Sequence, residues 1–212
     1  MRRIQGREEI TGGHEDNMKR TIENLAKAFI GESQARNRYG FYAKAAKKEG
    51  YEQIAAIFGE TAEQERAHAS NLFKMIKELR VRAGGEVNAI IVEADMPTSF
   101  GSTKDNLKAA IAGETHEFKS MYPEFAQTAK EEGLNDIAAR LRAIAKAEEH
   151  HAERYGRLLQ ELEHGTLYKK SDKTTRWTCR ECGYVHEGPE PPETCPVCQH
   201  PQGYYQLIAE EY

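Results

Sequence analysis

Glu65-Arg66-Ala67-His68 and Glu148-Glu149-His150-His151 share a Glu-x-x-His spacing and lie 83 positions apart. Residues three apart on a helix face the same way, so each segment offers an oxygen and an imidazole nitrogen from one helical face. The same offset of 83 carries Lys48-Glu49-Gly50-Tyr51-Glu52-Gln53-Ile54-Ala55-Ala56 onto Glu131-Glu132-Gly133-Leu134-Asn135-Asp136-Ile137-Ala138-Ala139. Ahead of these turns, Gly31-Glu32-Ser33 matches Gly113-Glu114-Thr115 at an offset of 82. The chain therefore reads as two copies of one helical hairpin, the second with one additional residue. Pro123 lies in that stretch, which predicts a kink or π-bulge near residues 119–124.

Working outward, the pattern predicts four long helices at 18–48, 51–80, 104–131 and 134–164. Gly50 is a natural helix stop, and Gly133 breaks the second pair. Each pair is joined by a short link and forms an antiparallel hairpin. Residues 81–103, with Gly84, Gly85, Pro97 and Gly101, form a crossover long enough to span a bundle. The expected fold is mainly α: a ferritin-like four-helix bundle over 18–168, followed by a small C-terminal β domain over 174–212. Residues 1–17 are expected to be a polar extension.

Di-metal bundles of this class take one Glu from each of two helices and a Glu-x-x-His from each of the other two. Here Glu32 and Glu114 supply the single carboxylates, and Glu65/His68 and Glu148/His151 supply the pairs. They fall in the apolar register: Leu25, Phe29, Glu32; then Ile54, Phe58, Thr61, Glu65, His68, Leu72. The third and fourth helices give Leu107, Ile111, Glu114, Glu117 or Phe118, Met121, and Leu141, Ile144, Glu148, His151, Tyr155, Leu158. Carboxylates on four apolar stripes are costly unless they bind something. One Glu-x-x-His alone means little, as Glu161-Leu162-Glu163-His164 demonstrates. Glu161 lies thirteen residues past Glu148 and so points roughly 220° around the helix. It is read as surface.

Glu117 breaks the repeat, since its counterpart is Ala35. It brings a fifth carboxylate to the site, where it is expected to compete with His68 for one iron. A hard carboxylate favours the ferric ion and an imidazole the ferrous ion, so ligation would follow redox state. Tyr39 and Tyr122 are expected near the cluster, where their hydroxyls would hydrogen-bond ligand carboxylates. The bland alternative is that both are ordinary core.

All four cysteines fall in Cys179-Arg180-Glu181-Cys182 and Cys195-Pro196-Val197-Cys198. Two C-x-x-C knuckles deliver four thiolates to one tetrahedral metal, zinc or iron. Trp177, Tyr184 and Tyr205 would make a compact aromatic core, and so small a unit should fold only with its metal.

The net charge of −4 leaves no basic footprint for nucleic acid. No run approaches eighteen apolar residues, so no membrane span is expected. The N-terminus has no signal-peptide pattern, and a cytoplasmic location is expected.

Several stretches together carry a family resemblance: Gly-Glu-Ser-Gln-Ala-Arg-Asn-Arg-Tyr at 31–39, Glu-Gln-Glu-Arg-Ala-His at 63–68, Gly-Glu-Thr-His-Glu at 113–117, Met-Tyr-Pro at 121–123, Ala-Glu-Glu-His-His at 147–151, and the C-terminal knuckles. Over about residues 18–212 the chain resembles the rubrerythrins, with their rubredoxin-like C-terminal domain. The resemblance implies a non-haem di-iron peroxidase of oxidative-stress defence that reduces hydrogen peroxide to water. Electrons would come from rubredoxin or a NAD(P)H-dependent reductase, through an Fe(Cys)4 centre, to the di-iron centre. It implies iron rather than zinc at Cys179, Cys182, Cys195 and Cys198, with zinc substitution in recombinant material. It implies a homodimer, with helix exchange through the crossover as an option, or a tetramer. In the dimer, one chain's rubredoxin-like domain approaches the other chain's di-iron site. Glu32, Glu117, His68, Tyr39 and Tyr122 are the candidate catalytic residues. A ferroxidase or iron-storage protein and a zinc-ribbon interaction module remain as alternatives.

Overall fold

The computed structural model describes residues 18–84 and 89–209; the extension expected at 1–17 lies outside the described residues. The chain is mainly helical. Helices α1 (Lys19–Lys48) and α2 (Glu52–Arg82) form the first hairpin. The second is α3 (Thr103–His116), a π-turn (Glu117–Met121), α4 (Tyr122–Glu131) and α5 (Asn135–Glu163). The π-turn overlaps the predicted 119–124 and starts two residues earlier. It absorbs the additional residue of the second repeat, so Tyr122 takes up the place that Tyr39 holds in the first. Among the described residues no helix is long and apolar enough to cross a membrane.

Both hairpin turns use a left-handed glycine, Gly50 at φ 85° and Gly133 at φ 79°. In each, the next amide reaches back to the helix, Tyr51 N to Ala46 O at 2.9 Å and Leu134 N to Ala129 O at 2.8 Å. The residue just before each glycine does a further job. Glu132 accepts from the amide of Thr21 at 3.0 Å, and Glu49 accepts from the amide of Thr103 at 3.0 Å. Each hairpin's turn thus caps the first helix of the other hairpin, satisfying amides that have no intrahelical partner. Helix α3 is capped twice, since Ser102 and Asp105 also form a capping box.

The apolar interior is split in two. One layer holds Leu25, Ala28, Leu72, Met75, Tyr122, Ile137 and Leu141. The other holds Tyr39, Tyr42, Ile54, Phe58, Leu107, Tyr155 and Leu158. Between them lies a polar layer of fully buried carboxylates. The inward register of α1 departs from expectation at one residue: Ala28, not Phe29, is buried. Small residues at 28 and 35 let the helices approach, and Phe29 turns outward against Phe73, with ring centroids 5.7 Å apart. Of the two candidates after Glu114, Glu117 is buried and Phe118 only half-buried.

The C-terminal unit is a three-stranded antiparallel sheet of β1 (Arg176–Cys179), β2 (Val185–Glu187) and β3 (Tyr205–Leu207), in the order β2-β1-β3. Trp177 and Tyr205 are its buried core, with Tyr184 half-buried beside them. The Trp177 indole donates to Gly188 O at 2.9 Å. The unit rests on the α1–α2 turn. Tyr168 donates to Gly203 O, and the Gly203 backbone packs against Gly50 so closely that no side chain fits there. Glu161, the decoy of the last Glu-x-x-His, faces away from the carboxylate layer and accepts from Thr166 at 2.7 Å and from Lys170. It pins the linker to α5.

Candidate metal centres

The polar layer brings Glu32, Glu65, His68, Glu114, Glu148 and His151 together. Two sets of four have ligand atoms all within 4.8 Å of one another: Glu32, Glu65, His68 and Glu148; and Glu65, Glu114, Glu148 and His151. Glu65 and Glu148 belong to both sets, which is what two metals sharing bridging carboxylates require. The sets are related by the hairpin repeat. His68 Nδ1 lies 2.9 Å from Glu148 and His151 Nδ1 lies 3.1 Å from Glu65, so each imidazole faces the other hairpin's bridging Glu. The tyrosines cross in the same way. Tyr39 donates to Glu114 Oε1, and Tyr122 donates to Glu32 Oε1.

The donor atoms fit a metal pair on their own chemistry. Glu32 Oε2, Glu65 Oε1, Glu114 Oε2, both Glu148 oxygens and His151 Nδ1 are buried, and they face only one another and His68 Nδ1, with no other hydrogen-bond partner. Such atoms are rare in folded proteins unless an ion satisfies them. Hard oxygen donors with two imidazoles suit iron.

Glu117 is buried beside the cluster but belongs to neither set. Burial, and then the charges of Glu32 and Glu114, hold its carboxyl well above the ordinary range. It lines a cavity of about 340 Å³ together with Gly31, Gly113, Arg38 and the crossover residues Glu93 and Asp95. The site is therefore asymmetric where the sequence repeat is.

Titration of the metal-free chain follows from this burial. Burial lifts Glu32 to about 8, with His68 opposing and Glu65 adding to the rise. His151 is raised to about 11: desolvation opposes the shift, and Glu114, Glu148 and Glu65 outweigh it. For Glu32 the folded state holds the proton longer, so stability declines as pH climbs from about 4.5 to about 8. For His151 the stabilisation is complete below 6.5 and is lost as pH rises through about 11. Both act in one direction, so the metal-free chain should melt at a lower temperature at pH 8 than at pH 5. Iron must displace these protons, so the iron-loaded chain should show the opposite trend. Calorimetry of both forms checks this, and parallel pH profiles would count against it.

The four cysteines form the second cluster. All are free thiols, and their sulfurs lie within 4.8 Å of one another. Cys179 faces Cys198 and Cys182 faces Cys195, both at 3.6 Å, too long for disulfides. Each knuckle is closed by a left-handed residue just past its second cysteine, Gly183 at φ 75° and Gln199 at φ 62°. That turn aims backbone amides at the sulfurs.

Sequence patterns had not marked Gln64. Its amide nitrogen donates to Glu60 at 3.3 Å, and its oxygen lies 2.9 Å from His151 Nε2. The repeat offered no distinctive signal for it, since Gln64 against Ala147 is one of several unmatched pairs around Glu65.

Comparison with known proteins agrees with this geometry. The sequence model of the rubrerythrin family matches residues 23–159, and that of the rubrerythrin rubredoxin-like domain matches 177–206. Rubrerythrin-1 of Clostridium acetobutylicum is 48% identical over 91% of this chain and 96% of its own. Rubrerythrin of Nitratidesulfovibrio vulgaris is 45% identical over 89% of this chain and 94% of its own. The fully reduced, all-ferrous structure of nigerythrin aligns with a TM-score of 0.57 at 33% identity, covering 89% of this chain and 86% of that one. A Desulfovibrio desulfuricans bacterioferritin with a di-iron site aligns at TM-score 0.61 and 24% identity, over 73% of this chain and 86% of that one, and shares the fold.

Proposed function

The chain belongs to the rubrerythrin family, an iron-dependent group of oxidative-stress proteins, and from that premise we propose that it is a peroxidase reducing hydrogen peroxide to water. It carries a di-iron carboxylate site and an Fe(Cys)4 site. The observation that carries the proposal is the asymmetry of the first site: a protonatable carboxyl, Glu117, buried beside two otherwise symmetric ligand sets. An iron pair held by Glu32, Glu65, His68, Glu114, Glu148 and His151 would supply the two electrons that O–O cleavage requires, and an iron held by Cys179, Cys182, Cys195 and Cys198 would pass on electrons from rubredoxin or a NAD(P)H-dependent reductase.

The side chains hold and move protons. Tyr39 and Tyr122 each occupy one oxygen of Glu114 and Glu32 and leave the other oxygen for metal. Burial, then the neighbouring carboxylates, hold both phenols well above their ordinary range, so they remain donors at neutral pH. Glu117 holds a proton while it is not a ligand. Reducing one peroxide to two waters consumes two protons; Glu117 delivers one to a departing oxygen and solvent supplies the other. The carboxylate left behind would compete with His68 to hold one iron of the pair.

Glu117→Gln keeps the volume but cannot ionise. Peroxide turnover should fall by roughly 10²-fold or more while iron content stays the same. Unchanged turnover in that variant rules out both the proton delivery and the exchange.

The C-terminal unit docks near Glu52, roughly 20 Å along α2 from Glu65. That separation supports delivery of electrons to the partner chain's di-iron site in a homodimer. An iron-storage role would leave the cysteine unit without a task.

A further inference from the structure

The two imidazoles of the di-iron site are related by the repeat but are not supported alike. Behind His151 stands a chain of contacts. Arg154 pairs with Glu60 at 3.1 Å and donates to Thr61 Oγ1 at 2.7 Å. Glu60 accepts from the Gln64 amide nitrogen, which fixes the amide so that its oxygen meets His151 Nε2. That oxygen can only accept, so Nε2 carries the proton and Nδ1 is turned to the carboxylates. The offset of 83 places Asn71, Ala143 and Ala147 at the positions equivalent to Arg154, Glu60 and Gln64. None of the three can rebuild these contacts behind His68. His68 meets carboxylates through Nδ1, but among the described residues its Nε2 has no hydrogen-bond partner, and its side chain is 15% exposed against 3% for His151.

We propose that Arg154, Glu60 and Gln64 form a buttress that locks the His151 ring, and that its absence at Asn71, Ala143 and Ala147 leaves His68 as the mobile imidazole. The assignment rests on the proposed His68–Glu117 exchange and explains why that exchange occurs at one end only. Gln64 is a positioning residue, acting through His151. Outer hydrogen bonds to metal-bound imidazoles fix ring orientation, and their loss commonly lowers metal affinity by about 10- to 100-fold.

The test uses the full-length iron-loaded protein, reduced and challenged with a ferrous chelator. Gln64→Ala should speed release of one iron per bundle by about 10- to 100-fold, and Gln64→Glu, which keeps an acceptor, should restore the slow rate. In zinc-exchanged protein, NMR should show a protected imidazole N–H from His151 that Gln64→Ala abolishes. The graft Asn71→Arg/Ala143→Glu/Ala147→Gln should create a second protected N–H, on His68. The proposal is overturned if Gln64→Ala leaves both iron release and the protected N–H unchanged, or if the folded graft adds no second signal. None of these readouts depends on peroxide turnover, which the Glu117 variant tests separately.

Discussion

Glu148→Leu should strip both irons from the bundle at once, lowering iron from three per chain to one. Glu148 is common to both ligand sets, so its loss deprives each ion of a bridging oxygen. Peroxide reduction should fall to background. The same variant should also lose stability before any metal is added. Both Glu148 oxygens are buried and each lies 2.9 Å from an imidazole nitrogen, Oε1 from His68 Nδ1 and Oε2 from His151 Nδ1. Without metal, the wild-type chain therefore pairs this carboxylate with two imidazoles, and removing one partner of a buried charge pair commonly costs about 3–5 kcal/mol. Metal-free Glu148→Leu should thus melt below metal-free wild type, while iron-loaded wild type melts above both. Iron analysis and calorimetry on the same samples decide it. A variant that retains two bundle irons would refute the shared-ligand geometry, and one that melts at or above the metal-free wild type would refute the carboxylate–imidazole pairing.

Cys195→Ser should silence turnover driven by NADH through a reductase and spare chemistry inside the bundle. Cys195 is fully buried in the C-terminal core, with Trp177, Cys179 and Tyr205 around it. The unit has only a short three-stranded sheet and a few aromatic side chains besides its four thiolates, so loss of one ligand should cost both the metal and the fold. The red absorption of ferric Fe(Cys)4 should vanish and the sheet should become protease-sensitive. The two bundle irons should remain, because the ligand layer lies well down α2 from the docking point at Gly50. Chemically reduced variant should still consume one equivalent of peroxide. Sustained reductase-linked turnover in this variant would mean that electrons bypass the cysteine centre.

The helices, their stops and the six residues of the symmetric ligand layer were legible along the chain, because each depends on spacing alone. A 3.6-residue period puts Glu65 and His68 on one face whatever surrounds them, and the repeat transfers that face to Glu148 and His151. The same arithmetic set Glu161 aside, and the knuckles needed only their C-x-x-C spacing. Glu117 at the site and a π-bulge beside it were legible from the break in the repeat, but spacing left Glu117 and Phe118 as alternatives on that face and could not say that Glu117 would lie outside both four-ligand sets.

What only tertiary structure decided are the contacts between the hairpins. Glu49 and Glu132 cap helix amides 54 and 111 positions away from them. Tyr39 and Tyr122 each serve the carboxylate of the opposite repeat. Gln64 reaches an imidazole 87 positions distant. A sequence period specifies which face of a helix a residue occupies. Which residue of another helix meets that face depends on how the two hairpins pack, and that packing is what brings Gln64 to His151.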